Sequence, residues 1–384
     1  MRAGPGQTLA DRYQVTDRQP PEADAAGPRR LAVDLRGNTP VLLQGVELPE
    51  LLVPELTGSA DFEGSRWLDP AEILAAVRAA LAATPEHPRL RQSFAAFAED
   101  GVLWAAVERP VALALPELLD SGPLDPYRAA ELAADLCGAL GAVHQGGRAH
   151  GNVTADQVLL CEDGAALLGG QAVGAAEEAL ARALGGADGR RWGQARLGLV
   201  GARAERWAPE LLAAEPVAPG PAADLWALGV LLQRVLTGRG PFPEQGPTAL
   251  FAAVRAGQRA DSAGCGPLRP LVDRLLATDP AERPAAGAAR QWLTELLAQA
   301  PEPLREEEAE PTALPVLRRA GPLVPRPRGA RARAAALAQA QAQAPEHARH
   351  AREHRPSRLL PVLLVGGVLL AMVLGITAVV ALAG

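Results

Sequence analysis

The sequence predicts an α+β chain: a small sheet-rich half, a larger helical half, and one membrane-spanning helix at the C-terminal end. Three observations lead there. Short apolar runs broken by turn residues fill positions 12–110, apolar stripes at helical spacing fill 111–300, and the stretch 359–383 carries no charged residue. At 384 residues and 48% hydrophobic content, the chain can bury a sizeable core.

Residues 1–11 read as a tail. In the sheet-rich half, RLAVDLRG (30–37), TPVLLQGVEL (39–48) and GVLWAAVE (101–108) read as strands joined by turns. Between the second and third of them, Asp69-Pro70 opens a helix running to about Ala83, with Asp69 as N-cap and proline at the first position. In the helical half, Asp125-Pro126 repeats that signal. Leu132, Leu136, Leu140 and Val143 then form one stripe, and Gly146-Gly147 ends the helix. A second helix begins near Ala222 with Leu225, Leu228, Leu232, Val235 and Leu236 on one face. Two more cover 271–277 and 285–298.

Residues 301–357 change character: acidic first, then proline-rich, then arginine-rich, with an AALAQAQAQA tract of low complexity. They read as a flexible juxtamembrane linker whose basic end could meet anionic headgroups or simply be a solvated spacer. The segment 358–384 contains 25 consecutive uncharged residues (359–383), roughly 37 Å as a helix against a hydrocarbon core of about 30 Å. Arg349, Arg352, Arg355 and Arg358 precede it and only Gly384 follows, so the positive-inside rule places the preceding part in the cytosol. No apolar run follows Met1, so no secretory signal is expected.

Composition narrows the chemistry. A net charge of −6 supplies no basic field, so nucleic acid is not an expected partner of the folded part. Three cysteines, far apart, suggest reduced thiols in a cytosolic compartment and no metal-ligand spacing. All 38 basic residues are arginine. Any mechanism that needs a lysine ammonium is excluded.

Four landmarks in the helical half occur in a fixed order: AHGNVTADQVLL (149–160), WAPE (207–210), ADLWALGVLLQRVLTGRGPFP (223–243) and DPAERP (279–284). Together they resemble the protein kinase superfamily, of the bacterial serine/threonine type with a C-terminal transmembrane anchor. The first is similar to the catalytic loop, the second to the end of the activation segment, the third to the central helix and its following loop. In the first half RYQV (12–15) resembles the first strand, PVLLQ (40–44) the lysine strand and LWAAVERP (103–110) the hinge. The resemblance covers about 12–298 and implies a two-lobed fold: a degenerate N-lobe at 12–110 and a helical C-lobe at 111–300.

Measured against that family, the catalytic groups are missing. Gln44 stands where the phosphate-binding lysine would be. Asn152 replaces the aspartate that accepts the substrate proton, a loss typically worth roughly 10²–10⁴-fold in rate. Gln157 replaces the metal-binding asparagine, and Gly170-Gln171-Ala172 aligns with the magnesium-binding D-F-G. The stretch 16–30, where a glycine-rich loop belongs, has one glycine and three prolines. The glutamate partner of the lysine would fall near Arg78, or at Glu72 if the register slips. Asp156 and the pair Glu162-Asp163 are the neighbours that could compensate, although Asp163-Gly164 also reads as a turn.

The scaffold residues match: the resemblance assigns Glu210 and Arg283 to a buried ion pair, Asp224 to holding the catalytic-loop backbone, and His150 to packing that loop. Between Gly170 and Glu210 there is no Ser, Thr or Tyr to phosphorylate, and Gly185, Gly186 and Gly189 suggest a mobile segment. The expectation is a catalytically inactive, membrane-tethered, cytosol-facing scaffold or allosteric regulator of a protein partner, such as a genuine kinase or its substrate, with no cofactor and no intact magnesium site. The alternatives are a divergent active serine/threonine kinase and a sensor that binds ATP through the hinge near Glu108 without transferring phosphate.

Overall fold

The computed structural model describes residues 4–18, 27–48, 69–186, 189–200, 205–213, 215, 217–244 and 246–300. The expected linker and membrane span lie outside the described residues. Among the described residues no helix is long and apolar enough to cross a membrane.

The first half is a six-stranded antiparallel sheet. Its strands are β1 (Thr8–Leu9), β2 (Tyr13–Val15), β3 (Arg29–Asp34), β4 (Thr39–Glu47), β5 (Ser93–Glu99) and β6 (Val102–Glu108), in the spatial order β1-β2-β3-β4-β6-β5. Helix α1 (Pro70–Ala82) connects β4 to β5, and Asp69 caps it by accepting a bond from the Ala71 N–H at 2.8 Å.

The central strand β4 explains why its run of apolar residues does not alternate with polar ones: both faces are covered. Val41 and Leu43 pack with Tyr13, Phe97 and Trp104 on one face. Leu42 and Val46 pack on the other with Ile73 and Val77 of α1 and with Ala172, Val173, Ala176 and Leu180. Successive strand side chains point to opposite faces, so Gln44 shares the second face with Leu42 and Val46.

The second half holds a three-stranded antiparallel sheet, β7 (Ala112–Ala114), β8 (Val158–Cys161) and β9 (Ala166–Leu168), and eight helices among the described residues. These are α2 (Leu115–Leu119), α3 (Pro126–His144), α4 (Gln171–Gly185), α5 (Gly189–Val200), α6 (Pro221–Thr237), α7 (Pro247–Arg255), α8 (Arg269–Leu275) and α9 (Ala286–Ala298). Helix α6 is buried nearly all round, with Trp226, Leu228, Leu232 and Val235 in one cluster with Leu132, Leu136 and Leu140 of α3. A helix apolar on every side belongs at the centre of a core. The curled antiparallel sheet followed by this helical region fits a kinase-like two-lobed fold.

The stretch from Gln171 to Gly185 is helical, and of the segment around Gly185, Gly186 and Gly189, expected to be mobile, residues 187–188 lie outside the described residues. Ala172, Val173, Ala176 and Leu180 form an apolar stripe, and alanine, leucine, glutamate and arginine are strong helix formers. The glycines bound the helices: Gly186, at φ 63°, caps α4, and Gly189 begins α5.

Candidate functional site

Strand β4, the loop 150–157 and the residues just after β9 converge where the two halves meet. Gln44 is buried. Its Nε2 donates to Gln157 Oε1 at 3.3 Å. The Gln157 Nε2 in turn donates to Asp156 Oδ2 at 2.6 Å, so both ends of the Gln157 amide are engaged. Asp156 also accepts from Thr154 Oγ1 at 2.6 Å and from Arg29 Nη2 at 3.3 Å. Among the described residues a cavity of about 10 Å³, room for about one water, is lined by Gly27, Arg29, Gln44, Asp156, Gln157 and Val173.

Asn152 lies 18 residues before Gly170 and is fully buried. Its Nδ2 donates to the Gly170 carbonyl at 3.0 Å, and its Oδ1 accepts from Arg206 Nη1 at 2.7 Å. Arg206 also donates through Nη2 to Glu177 on α4, a pair in which both side chains are less than a tenth exposed. An asparagine can satisfy a carbonyl on one side and a guanidinium on the other; a carboxylate could serve only the second. Gly170 has φ 84° and ψ 7°, and a Cβ there would overlap the Gln157 side chain, with Cδ only 2.6 Å away.

At the end of the stretch where a glycine-rich loop belongs, Gly27 and Pro28 lie against strand β4. Gly45 N–H donates to the Pro28 carbonyl at 2.8 Å. A Cβ at Gly27 would overlap the Gly45 carbonyl oxygen, and one at Gly45 would stand 2.7 Å from Pro28 Cγ. Neither candidate partner on α1 faces Gln44. Glu72 and Arg78 are exposed, and Arg78 Nε donates to the Ala96 carbonyl at 2.9 Å. The buried face of α1 is Ile73 and Val77, which pack on α4. At the hinge, the Glu108 carbonyl accepts from Arg91 Nε at 2.6 Å and its N–H donates to the Gln92 carbonyl at 2.8 Å. Asp163 accepts from the Ala165 N–H at 3.0 Å in the turn between β8 and β9.

These residues do not fit a magnesium–triphosphate. Gly170 offers no carboxylate, the Gln157 amide is spent and a guanidinium occupies Asp156. Among the described residues no group of three or more His, Cys, Asp or Glu side chains is placed to hold a metal ion.

The scaffold residues form a separate, connected set. Asp224, at the start of α6, accepts from the His150 N–H at 2.7 Å, the Gly151 N–H at 2.8 Å and pairs with His144 Nε2 at 2.8 Å. His150 is fully enclosed, and burial pushes its imidazole down to about 4, against the upward pull of Asp224. Arg283 donates to both oxygens of Glu210, at 2.7 and 2.9 Å, and to the carbonyls of Ala222, Ala277 and Thr278. Removing one partner of such a pair strands the other, at about 3–5 kcal/mol.

Sequence reasoning missed Arg206, Glu177, Arg196 and Glu178. Arg196 is buried; it grips Glu178 through Nε at 3.0 Å and Nη2 at 2.9 Å, donates to the Leu211 carbonyl at 2.8 Å, and stacks with Trp192 at 4.4 Å. The adjacent glutamates Glu177 and Glu178 thus anchor two arginines that come later in the chain. In an arginine-rich sequence no local pattern distinguishes these two from the rest.

No protein-family model matches the chain. Among curated proteins it is similar to the serine/threonine-protein kinase PAK mbt of Drosophila melanogaster, 27% identical over 255 residues, 64% of this chain and 34% of that protein. It is also similar to Tribbles homolog 3 of Homo sapiens, 45% identical over 76 residues (20% of this chain, 21% of that protein). Tribbles homolog 1 of Homo sapiens is 42% identical over 76 residues, 20% of each. The chain spans about a third or less of the length of these relatives. Joined to the order of the strands and helices, these similarities support a place for the chain in the protein-kinase-like superfamily.

Proposed function

We propose that the chain is a pseudokinase: a kinase-like domain that regulates a signalling protein by binding it and transfers no phosphate. The observation that carries this reading is Asn152. At the position of the proton acceptor, a side chain with no basic group is sealed between the Gly170 carbonyl and a buried arginine, out of reach of any substrate hydroxyl. Similarity to the Tribbles proteins supports a pseudokinase-like regulatory role with protein partners. A site that uses Gln44, Gln157, Asn152 and Gly170 for its own internal bonds has no catalytic residues and no cofactor to hold.

The helical half is the surface for such a partner. An open cavity of about 500 Å³ lies beside the catalytic loop, lined in part by Leu119, Pro123, Val153, Val230 and Leu231. That volume falls within the ordinary range for a binding cleft, about 300–1,000 Å³. The uncharged stretch 359–383 and the arginines before it support a single-pass C-terminal tether with the kinase-like domain on the cytosolic side. This arrangement agrees with the resemblance to the bacterial serine/threonine kinases.

The rival reading, a nucleotide sensor working through the hinge, is disfavoured by Glu108, whose backbone N–H and carbonyl are both already bonded. Thermal unfolding of the detergent-solubilised full chain, with millimolar ATP and with or without magnesium, tests the choice. Unchanged midpoints are expected. A magnesium-dependent rise would mean that the cleft holds a metal and nucleotide, and would overturn the reading.

A further inference from the structure

Four side chains form a continuous polar string from the sheet to the catalytic loop. Arg29 on β3 and Gln44 on β4 come from one half. Asp156 and Gln157 come from the other, and the bonds run Gln44 to Gln157, Gln157 to Asp156, and Arg29 to Asp156. Gln44 and Gln157 are buried, and the Arg29 and Asp156 side chains are 15% and 11% exposed, so these bonds are formed largely away from water. Two of them end on a carboxylate, and charge-assisted bonds are about twice as strong as neutral ones. Thr154 fixes the other oxygen of Asp156. Beside the string, Val173 of α4 packs against the sheet, Gly27 and Gly45 approach closely, and a cavity of about 10 Å³ lies between them and the string.

We propose that this string is an inter-lobe latch that holds the cleft closed by the chain's own side chains. The kinase-like domain then presents one fixed shape to its partner, independent of nucleotide. Every bond in the latch is made without a ligand. A ligand could shift the closed state only by binding an open state more tightly than the latch holds the closed one. The proposal rests on the reading that the cleft is non-catalytic.

Hydrogen–deuterium exchange on the detergent-solubilised full chain reads the latch directly. Asp156→Ala removes the shared acceptor, and Arg29→Ala cuts the string from the opposite half. Each is expected to speed exchange of the Gly45 and Gly169 amides by ~10-fold or more, while amides of α3 and α6 keep wild-type protection. Arg29→Lys, which keeps the charge, should restore most of the protection, and ATP with magnesium should leave the wild-type pattern unchanged. Exchange within about two-fold of wild type in Arg29→Ala would overturn the latch, as would a wild-type cleft that becomes protected only when ATP is added. Should Asp156→Ala loosen α3 and α6 as well, the comparison of Arg29→Ala with Arg29→Lys decides. Phosphate transfer by the chain would instead sink the functional reading and leave the exchange result standing.

Discussion

Glu177→Ala and Arg206→Ala are each expected to destabilise the fold by about 3–5 kcal/mol, because each strands a buried charge opposite an empty space. Both side chains are nearly inaccessible, and Arg206 also satisfies Asn152 Oδ1. Replacing the pair together, as Glu177→Leu with Arg206→Met, removes both charges at once. The double variant should lose less than either single one, with a residual cost of about 1–3 kcal/mol for leaving Asn152 Oδ1 unsatisfied. A double-mutant cycle by urea denaturation measures this. Additive losses would mean that Glu177 and Arg206 do not act as a unit.

Gly170→Asp, which restores the family's metal-binding carboxylate, is expected to cost about 2–4 kcal/mol and to gain no metal response. Two causes add. The backbone there lies in the left-handed region at φ 84°, and the new Cβ would collide with the Gln157 side chain. Gln157 cannot move aside without breaking its bonds to Gln44 and Asp156. Denaturation with and without magnesium reads both parts. Wild-type stability together with a magnesium-dependent gain would show that the site is a metal site lacking one ligand.

Much of the fold was legible because it rests on local patterns. Asp69-Pro70 and Asp125-Pro126 mark helix starts, and in the structure both aspartates cap the helices that follow. The stripe from Leu132 to Val143 is the buried face of α3. The four landmarks in fixed order pointed to the superfamily, and the sequence already showed that Gln44, Asn152, Gln157 and Gly170 are not catalytic residue types. What those residues do instead was not legible. The bond from Gln44 to Gln157 joins positions 113 apart, and Asn152 to Arg206 joins positions 54 apart; no spacing rule predicts either. Helix α4 was hidden for a different reason. Attention went to the glycines at its C-terminal end, Gly185, Gly186 and Gly189, and the apolar stripe of Ala172, Val173, Ala176 and Leu180 was overlooked.

Asp156 and Asp163 are the acids that the sequence offers as replacements for the missing catalytic groups. In the structure Asp156 is bonded to Thr154, Gln157 and Arg29, and Asp163 closes a turn. Neither is placed as a free base. The most direct measurement is therefore phosphoryl transfer from γ-labelled ATP by the full chain with magnesium, run beside Asp156→Ala and Asp163→Ala. Wild type at background, indistinguishable from both variants, is the expected result. Magnesium-dependent incorporation by wild type that either variant abolishes would contradict the account, because it would make one of these acids catalytic and the chain a divergent kinase.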